Sequence, residues 1–317
     1  MADMMRTARV GGRLLIVAGG LLATLVLMAC GDSSGDEPQT PQADSVPGGE
    51  LLTRVSAVVA KDGGPDEVTY ANLSDARAQL GDSPREPLSG PTAKGSELFS
   101  SVAIAAVPYA TYRGGLSPSP LNEAIDGGRV RTAASRTGLL GDTAVAVLQT
   151  SQPFAEISER LSTRGYRKEG DLLVTDQSFN EVYYPVVADA GNGVVVLAGS
   201  EDAARTALDG GDGDLTEAAQ LIGQVPGVLR MAGPVPDATC ARYWALGQQA
   251  APQSGKFMVV VDGDADPEQV TIAGKKQGGI EFAQAEASGD VAAVPFRSAA
   301  KIDLVSQAID PASSYRC

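Results

Sequence analysis

Three cysteines, a complete absence of histidine, one Ser-x-x-Lys string and one acidic repeat set the chemistry open to this 317-residue chain. Without an imidazole, Ser-His-Asp and Cys-His nucleophile arrangements and the histidine-bearing zinc and iron sites are excluded. The usual general base near neutral pH is missing too. Carboxylates or a Ser–Lys pair are what remain. Ser298-Ala299-Ala300-Lys301 has the spacing that, on a helix, brings a lysine amine beside a serine oxygen. The short stretch after Lys301 carries no Lys-Thr-Gly or other partner motif, so Ser298 reads as a helix cap. Asp262-Gly263-Asp264-Ala265-Asp266 begins like a calcium loop, but Pro267 and Ala273 stand where that loop needs Gly and Glu. It reads as an acidic turn, as does Asp209–Asp214. No catalytic residue, metal site or cofactor is expected.

The cysteines are more informative. Met1–Arg13 carries Arg6, Arg9 and Arg13 against Asp3, and Leu14–Ala29 is an uncharged apolar run. That run is shorter than the roughly 20 residues a spanning helix needs, and Gly19 and Gly20 interrupt it. A basic segment, a short apolar segment and a small residue before a cut mark an export signal, with the following chain translocated. Leu27-Met28-Ala29-Cys30 resembles the lipobox of bacterial lipoproteins. The resemblance implies diacylglycerol on the Cys30 thiol, cleavage between Ala29 and Cys30, and in many bacteria a further acyl chain (palmitate or similar) on the new amino group. Each buried CH₂ contributes roughly 0.8 kcal/mol, so two or three chains anchor a protein stably. The expected location is the extracytoplasmic face of the cell membrane.

Beyond the anchor only Cys240 and Cys317 remain. An even pair in an oxidising compartment is expected to form a disulfide. It would close a loop of about 77 residues, stabilise the fold by up to ~4–5 kcal/mol and pin the C-terminus.

The whole chain has a net charge of −14. Its signal holds three arginines and one aspartate, so the mature chain carries 22 basic against 38 acidic residues, a net −16. Such a surface repels phosphate backbones and anionic headgroups, which argues against nucleic-acid partners. Eighteen arginines against seven lysines, with abundant Ala, Gly, Val and Asp, fit a high-GC genome and an actinobacterial envelope protein.

Residues 1–29 are expected to be signal peptide, and 30–50 the lipidated cysteine and a flexible linker. Asp32–Glu50 is rich in Ser, Asp, Pro and Gly, with too little apolar surface to fold. The remaining 51–317 is expected to be an α+β globular region with a mixed or antiparallel sheet and helices packed on it. Its clearest stretch starts at Asp142: a strand over Thr143–Gln149, then a helix opened by Ser151-Gln152-Pro153 with Phe154, Ile157 and Leu161 on one face and Gly165 at its end. Hairpins follow at Glu169-Gly170 and Gly191-Asn192-Gly193, their strands including Tyr183, Tyr184 and Val194–Ala198. Ser200 caps a further helix that starts with Glu201 and Asp202.

A weaker echo follows. A helix opens at Asp214-x-x-Glu217, Gly227–Ala232 is a strand and Asp237–Gln249 a helix bearing Cys240, Tyr243 and Trp244. Phe257–Val261 and Val270–Ala273 read as strands, Ile280–Ala287 as strand or helix, and Ser298–Ile309 as a final helix. The pattern suggests two copies of a βαβββα-like unit, with sub-units 51–141, 142–226 and 227–317. Earlier in the chain, Val68–Tyr70 is a short strand, 73–80 and 98–107 are helical, and 82–96 and 113–120 are loops.

The function this supports is a non-enzymatic envelope module that binds a protein partner or small ligand. Two alternatives are a solute- or lipid-capturing lipoprotein serving a transporter, with two lobes and a hinge, and a carboxylate-dependent cell-wall hydrolase with two facing acids.

Overall fold

The structure is a computed structural model that describes residues 48–58, 66–74, 120–137, 141–176, 184–211, 228–233, 240–248, 254–298, 309 and 311–316. All belong to one compact unit, Pro41–Cys317. The signal, the lipobox, the tether up to Pro47, the helices expected over 98–107 and 214–222, Tyr183, Lys301 and Cys317 lie outside the described residues.

The fold is α+β, built on one continuous ladder of strands. The first half contributes β1 (Asp66–Asn72), β2 (Val130–Thr137), β3 (Val145–Thr150), β4 (Arg167–Glu169), β5 (Leu172–Val174), β6 (Val186–Gly191) and β7 (Val194–Ala198). The second contributes β8 (Val228–Gly233), β9 (Ala241–Gln248), β10 (Ser254–Val261), β11 (Lys276–Gln277), β12 (Ile280–Phe282), β13 (Glu286–Ser288) and β14 (Val291–Ser298). Every described pairing of these strands is antiparallel.

Outward from the centre the first half runs β1-β2-β3-β7-β6-β5-β4, and the second β8-β9-β10-β14-β12-β11 with β13 also on β14. The inner four positions therefore hold the first, second, third and seventh strand of each half. The two first strands, β1 and β8, pair antiparallel with each other, the relation that a local two-fold axis between them requires. The inner strands of the two halves follow the same order but begin at Asp66 and Val228, so the two copies of a βαβββα-like unit expected over 142–226 and 227–317 are not the units seen. The outer edges differ, because β12 and β13 both lie along β14 where β6 alone lies along β7.

Helices cover both faces. On one face α1 (Gly49–Ala57) and α4 (Glu201–Asp209) pack on each other and on the first half of the sheet. On the other, α2 (Pro120–Ala124) packs on α3 (Phe154–Ser162). A strand covered on both sides reads as an unbroken apolar run rather than an alternating one, which is why Val194–Ala198 is buried at every position. The edge strands are opposite in character. β4 is Arg-Lys-Glu and β11 is Lys-Gln; both are short and largely exposed, which discourages pairing with another chain.

Local chemistry fixes the elements. Asn192 and Gly193, both at positive φ, make the two-residue turn between β6 and β7. The Ser200 hydroxyl accepts the Ala203 N–H at 3.2 Å and starts α4. The far end of α4 is capped from another helix: the Arg54 guanidinium donates to the Ala207 carbonyl at 3.0 Å and to that of Leu208, while pairing with Glu50 at 3.1 Å. Gln152 is buried and joins α2 to the β3–α3 junction: its amide donates to the Ala124 carbonyl at 2.9 Å and accepts the Asp126 N–H at 2.8 Å.

Three expectations are corrected. The segment 237–249 is not a helix; Ala241–Gln248 is a central strand between β8 and β10. Its Ala, Leu and Gln favour helix, but ladder pairing and burial on both faces outweigh propensity. Val270–Ala273 is not a strand: Pro267–Gln269 forms a 3₁₀ turn, Val270 makes one bridge to Tyr315, and a turn follows with Gly274 at φ 69°. Ser298 ends strand β14 opposite Ile280, and the helix expected to follow it lies outside the described residues. The linker stops short of Glu50, because α1 starts at Gly49 behind Gly48, whose φ is 76°. A β-carbon on Gly48 would lie 2.1 Å from the Tyr70 ring. β2, α1 and α2 went unrecognised in the sequence.

Two outcomes follow from this packing. Gln152→Leu strands a carbonyl and an N–H in the interior, and urea unfolding should show a loss of about 1–3 kcal/mol. At the exposed edge, the hydrogen bond from Arg167 holds the Asp176 carboxyl below its ordinary range. A depressed carboxylate contributes stability that is present above its unfolded pKa and lost as pH falls through the folded value. Arg167→Gln should therefore move the Asp176 carboxyl titration upward when followed by NMR; an unmoved titration refutes the assignment.

Candidate functional site

The two faces of the sheet are not equivalent. On the α1/α4 face the apolar core runs unbroken across both halves, from Val145, Val196 and Val68 to Met231, Ala245, Met258 and Val260. On the opposite face it is split. One cluster gathers Ala71, Ala133, Ala146, Leu148 and Leu197 with Leu121, Ile157 and Leu161 of α2 and α3. The other gathers Trp244, Leu246, Phe257 and Phe296 with Ile272, Ile309 and Tyr315.

The seam between the clusters falls where the halves meet, and the register makes its composition explicit. One row across the sheet reads Gln248, Val228, Ala71, Ala133, Leu148. The next reads Leu246, Arg230, Thr69, Ser135, Ala146, Leu197. Of the described residues in these rows, Thr69, Ser135 and, at the far side, Gln248 belong to neither cluster. Thr69 and Gln248 are each 2 % exposed. The Thr69 hydroxyl and both polar atoms of the Gln248 amide have no hydrogen-bond partner in the protein. Burying such groups unpaired costs about 1–3 kcal/mol each, so native proteins rarely do it without a reason. On β10 the position beside Gln248 is Gly255, where a β-carbon would meet the Phe296 ring at 2.5 Å.

The residues that the sequence brought forward are placed elsewhere. Leu27, Met28, Ala29, Cys30 and Cys317 lie outside the described residues, as does Asp214. Cys240 is half-buried just before β9, and its carbonyl accepts the Asp262 N–H at 2.8 Å. The acids of the 262–266 turn have structural duties. Asp266 accepts the Glu268 N–H at 2.9 Å and starts the 3₁₀ turn, while Asp262 lies 3.5 Å from Arg242, which also pairs with Asp290. Ser298 is buried in β14, and its partner by spacing, Lys301, is outside the described residues. Tyr243 and Trp244 point to opposite faces of β9, with Tyr243 beside the continuous core and Trp244 within the second split cluster. Tyr184 is fully buried, and its carbonyl accepts the Tyr166 hydroxyl at 2.8 Å. Burial pushes the Tyr166 phenol above its ordinary pKa, which keeps that donor protonated. Among the described residues no cluster of His, Cys, Asp and Glu suits a metal ion.

Sequence reasoning missed Thr69, Ser135 and Gln248. The sequence signal for them is faint: a hydroxyl or amide in an otherwise apolar strand becomes conspicuous only once its strand is known to be central.

No family model and no curated protein matches the chain. Among solved structures, crystal form I of TP0453 aligns over 81% of this chain and 98% of that one, at 10% identity and a TM-score of 0.38. A likeness of that size carries no argument.

Because Asp262 is paired with Arg242 and Asp266 accepts within the turn, millimolar calcium should leave the melting temperature of the protein unchanged. A calcium-dependent rise would show that these carboxylates are available to a cation.

Proposed function

We propose that this chain is a lipid-anchored, extracytoplasmic binding module of a bacterial cell envelope, with no catalytic role. The observation that carries the reading is the string Leu27-Met28-Ala29-Cys30 behind a basic and then an apolar segment. The fold supports it as a scaffold, with a sheet covered on both faces and charged strands at both described edges.

The alternatives draw less support. A capture protein that closes on a hinge needs two lobes free to move, whereas β1 and β8 join the halves over six residue pairs and share one core. A carboxylate hydrolase needs two facing acids, whereas Asp262 and Asp290 are both paired with Arg242.

The expected Cys240–Cys317 disulfide belongs to the same reading. Cys240 is half-buried just before β9. The end of the chain is fastened close by: the Arg316 N–H donates to the Gln269 carbonyl at 2.9 Å, and the Tyr315 hydroxyl accepts the Asp266 N–H at 2.9 Å. Cys240 and Tyr315 border the same apolar cluster.

Two measurements test the proposal. Cys30→Ala should move the protein from the detergent phase to the aqueous phase on phase separation; unchanged partitioning refutes the anchor. Thiol labelling of the denatured, unreduced mature chain should modify no cysteine, and modification of Cys240 refutes the disulfide.

A further inference from the structure

We infer that the corner of the second half formed by Lys256, Arg297, Lys276 and Lys275 is a docking surface for an anionic lipid bilayer, and that it sets which way the anchored domain faces. The inference rests on the reading of the chain as a lipid-anchored protein and gives that protein an orientation on its membrane.

Charge in the second half is polarised along the strands. β10 carries Lys256 near its beginning and is followed by Asp262, Asp264, Asp266 and Glu268. β14 runs the other way, from Asp290 just before its first residue to Arg297 near its last. The two strands are antiparallel, so the cations of both fall at one end of the sheet and the acids at the other. Lys256 and Asp262 are six residues and about 20 Å apart.

The neighbouring strands add to the same end. Ser254, Arg297, Glu281 and Lys276 stand in one row across β10, β14, β12 and β11, which puts Arg297 and Lys276 on one face. Lys256 lies two residues along β10 from Ser254 and shares that face, and Lys275 precedes β11. Arg297, Lys275 and Lys276 are exposed, and Lys256 is half-buried. The one acid in the row, Glu281, is paired with Lys276. Four cations against this acid make a local positive patch on a chain of net charge −14.

The chain from Cys30 joins the sheet at this end too. α1 starts at Gly49, and Gly48 abuts the Tyr70 ring. Tyr70, Leu229, Gly247 and Lys256 form one row, three strands and about 14 Å from end to end. Tyr70 and Lys256 lie on the same face, since Met258, two residues from Lys256, shares a core with Tyr70. Residues 31–47 separate Gly48 from Cys30 and span at most about 60 Å, a length that lets the patch reach the bilayer that holds Cys30.

Complementarity selects the partner. The chain as a whole repels an anionic surface, so attraction is confined to this corner, and a bilayer is the anionic surface that the anchor keeps within reach. Each Lys or Arg brought near such a surface strengthens docking by roughly fivefold. With the corner against the headgroups, the acids that follow β10 lie at the far end of the strand.

The test uses the full-length lipidated protein in vesicles that carry a dansyl lipid. The energy donor is Trp244, the one tryptophan of the chain, three residues and about 10 Å along β9 from Gly247. Flotation with phosphatidylcholine vesicles reports the anchor and transfer from Trp244 reports docking, so failure of one is distinguishable from failure of the other. Transfer should be higher on equimolar phosphatidylcholine–phosphatidylglycerol vesicles than on phosphatidylcholine alone, and should fall back in roughly half-molar salt. Lys256→Gln and Arg297→Gln should each lower the ratio of docked to undocked protein on the mixed vesicles roughly fivefold. Glu268→Gln, at the opposite end, should leave that ratio unchanged. Equal transfer on the two compositions, transfer insensitive to salt, or Lys256 and Arg297 variants that dock normally would overturn the inference. So would an equally large change in Glu268→Gln, which would assign the attraction to net charge alone.

Discussion

The antiparallel pairing of β1 with β8 is the constraint on which the rest of the structure depends. Six residue pairs, from Asp66 opposite Gly233 to Ala71 opposite Val228, join strands far apart in sequence. Those pairs set the register of both halves, since each inner strand is laid against β1 or β8 in turn. A slip of one residue would send every side chain to the opposite face. Val68 and Met231 would then leave the continuous core, and Thr69 would enter it. Gly233 assists at this joint: a β-carbon there would lie 2.2 Å from the Tyr243 ring on the neighbouring strand.

The joint has different consequences on its two faces. On the α1/α4 side the apolar residues of both halves merge, so the pairing gains hydrophobic burial as well as hydrogen bonds. On the other side the clusters stop short of each other and leave small and polar side chains between them. A core optimised only for stability would place Val or Leu at positions 69 and 248, because an apolar group of similar shape avoids an unpaired polar atom. The retained polar groups are therefore the part of the fold that stability does not explain. Local departures of this kind are expected where a protein has a task.

The periphery follows a simpler logic. Charged, short strands finish the sheet at β4 and β11, with Arg167 paired to Glu169 and Asp176 and Lys276 to Glu281. These exposed pairs contribute little stability. Their role is to make the edges poor templates for another strand. At the C-terminus, Ile309, Ser314 and Tyr315 are buried, and the Thr271 N–H and hydroxyl donate to the carbonyls of Ser314 and Ser313 at 2.9 and 2.8 Å. The end of the chain is thus part of the second half's core.

By itself the sequence determined what short-range chemistry controls. The lipobox expectation, the absence of imidazole chemistry and the acidic surface follow from residue types alone. The run from β3 to α4 was legible because its signals are local: Pro153 before a helix with Ile157 and Leu161 on one face, Asn192-Gly193 in a two-residue turn, and Ser200 as a cap. What only the tertiary structure decided depends on partners distant in sequence. Ala241–Gln248 has helix-forming residues, yet it is a strand because β8 and β10 bracket it and both its faces are buried. The pattern read as two copies over 142–226 and 227–317 did not foresee that β1 and β8 open the two halves, since both are placed by pairing with each other and with the strands beside them. The seam was invisible for the same reason. Thr69, Ser135 and Gln248 are ordinary residues in the sequence, and the ladder alone puts them on one buried face.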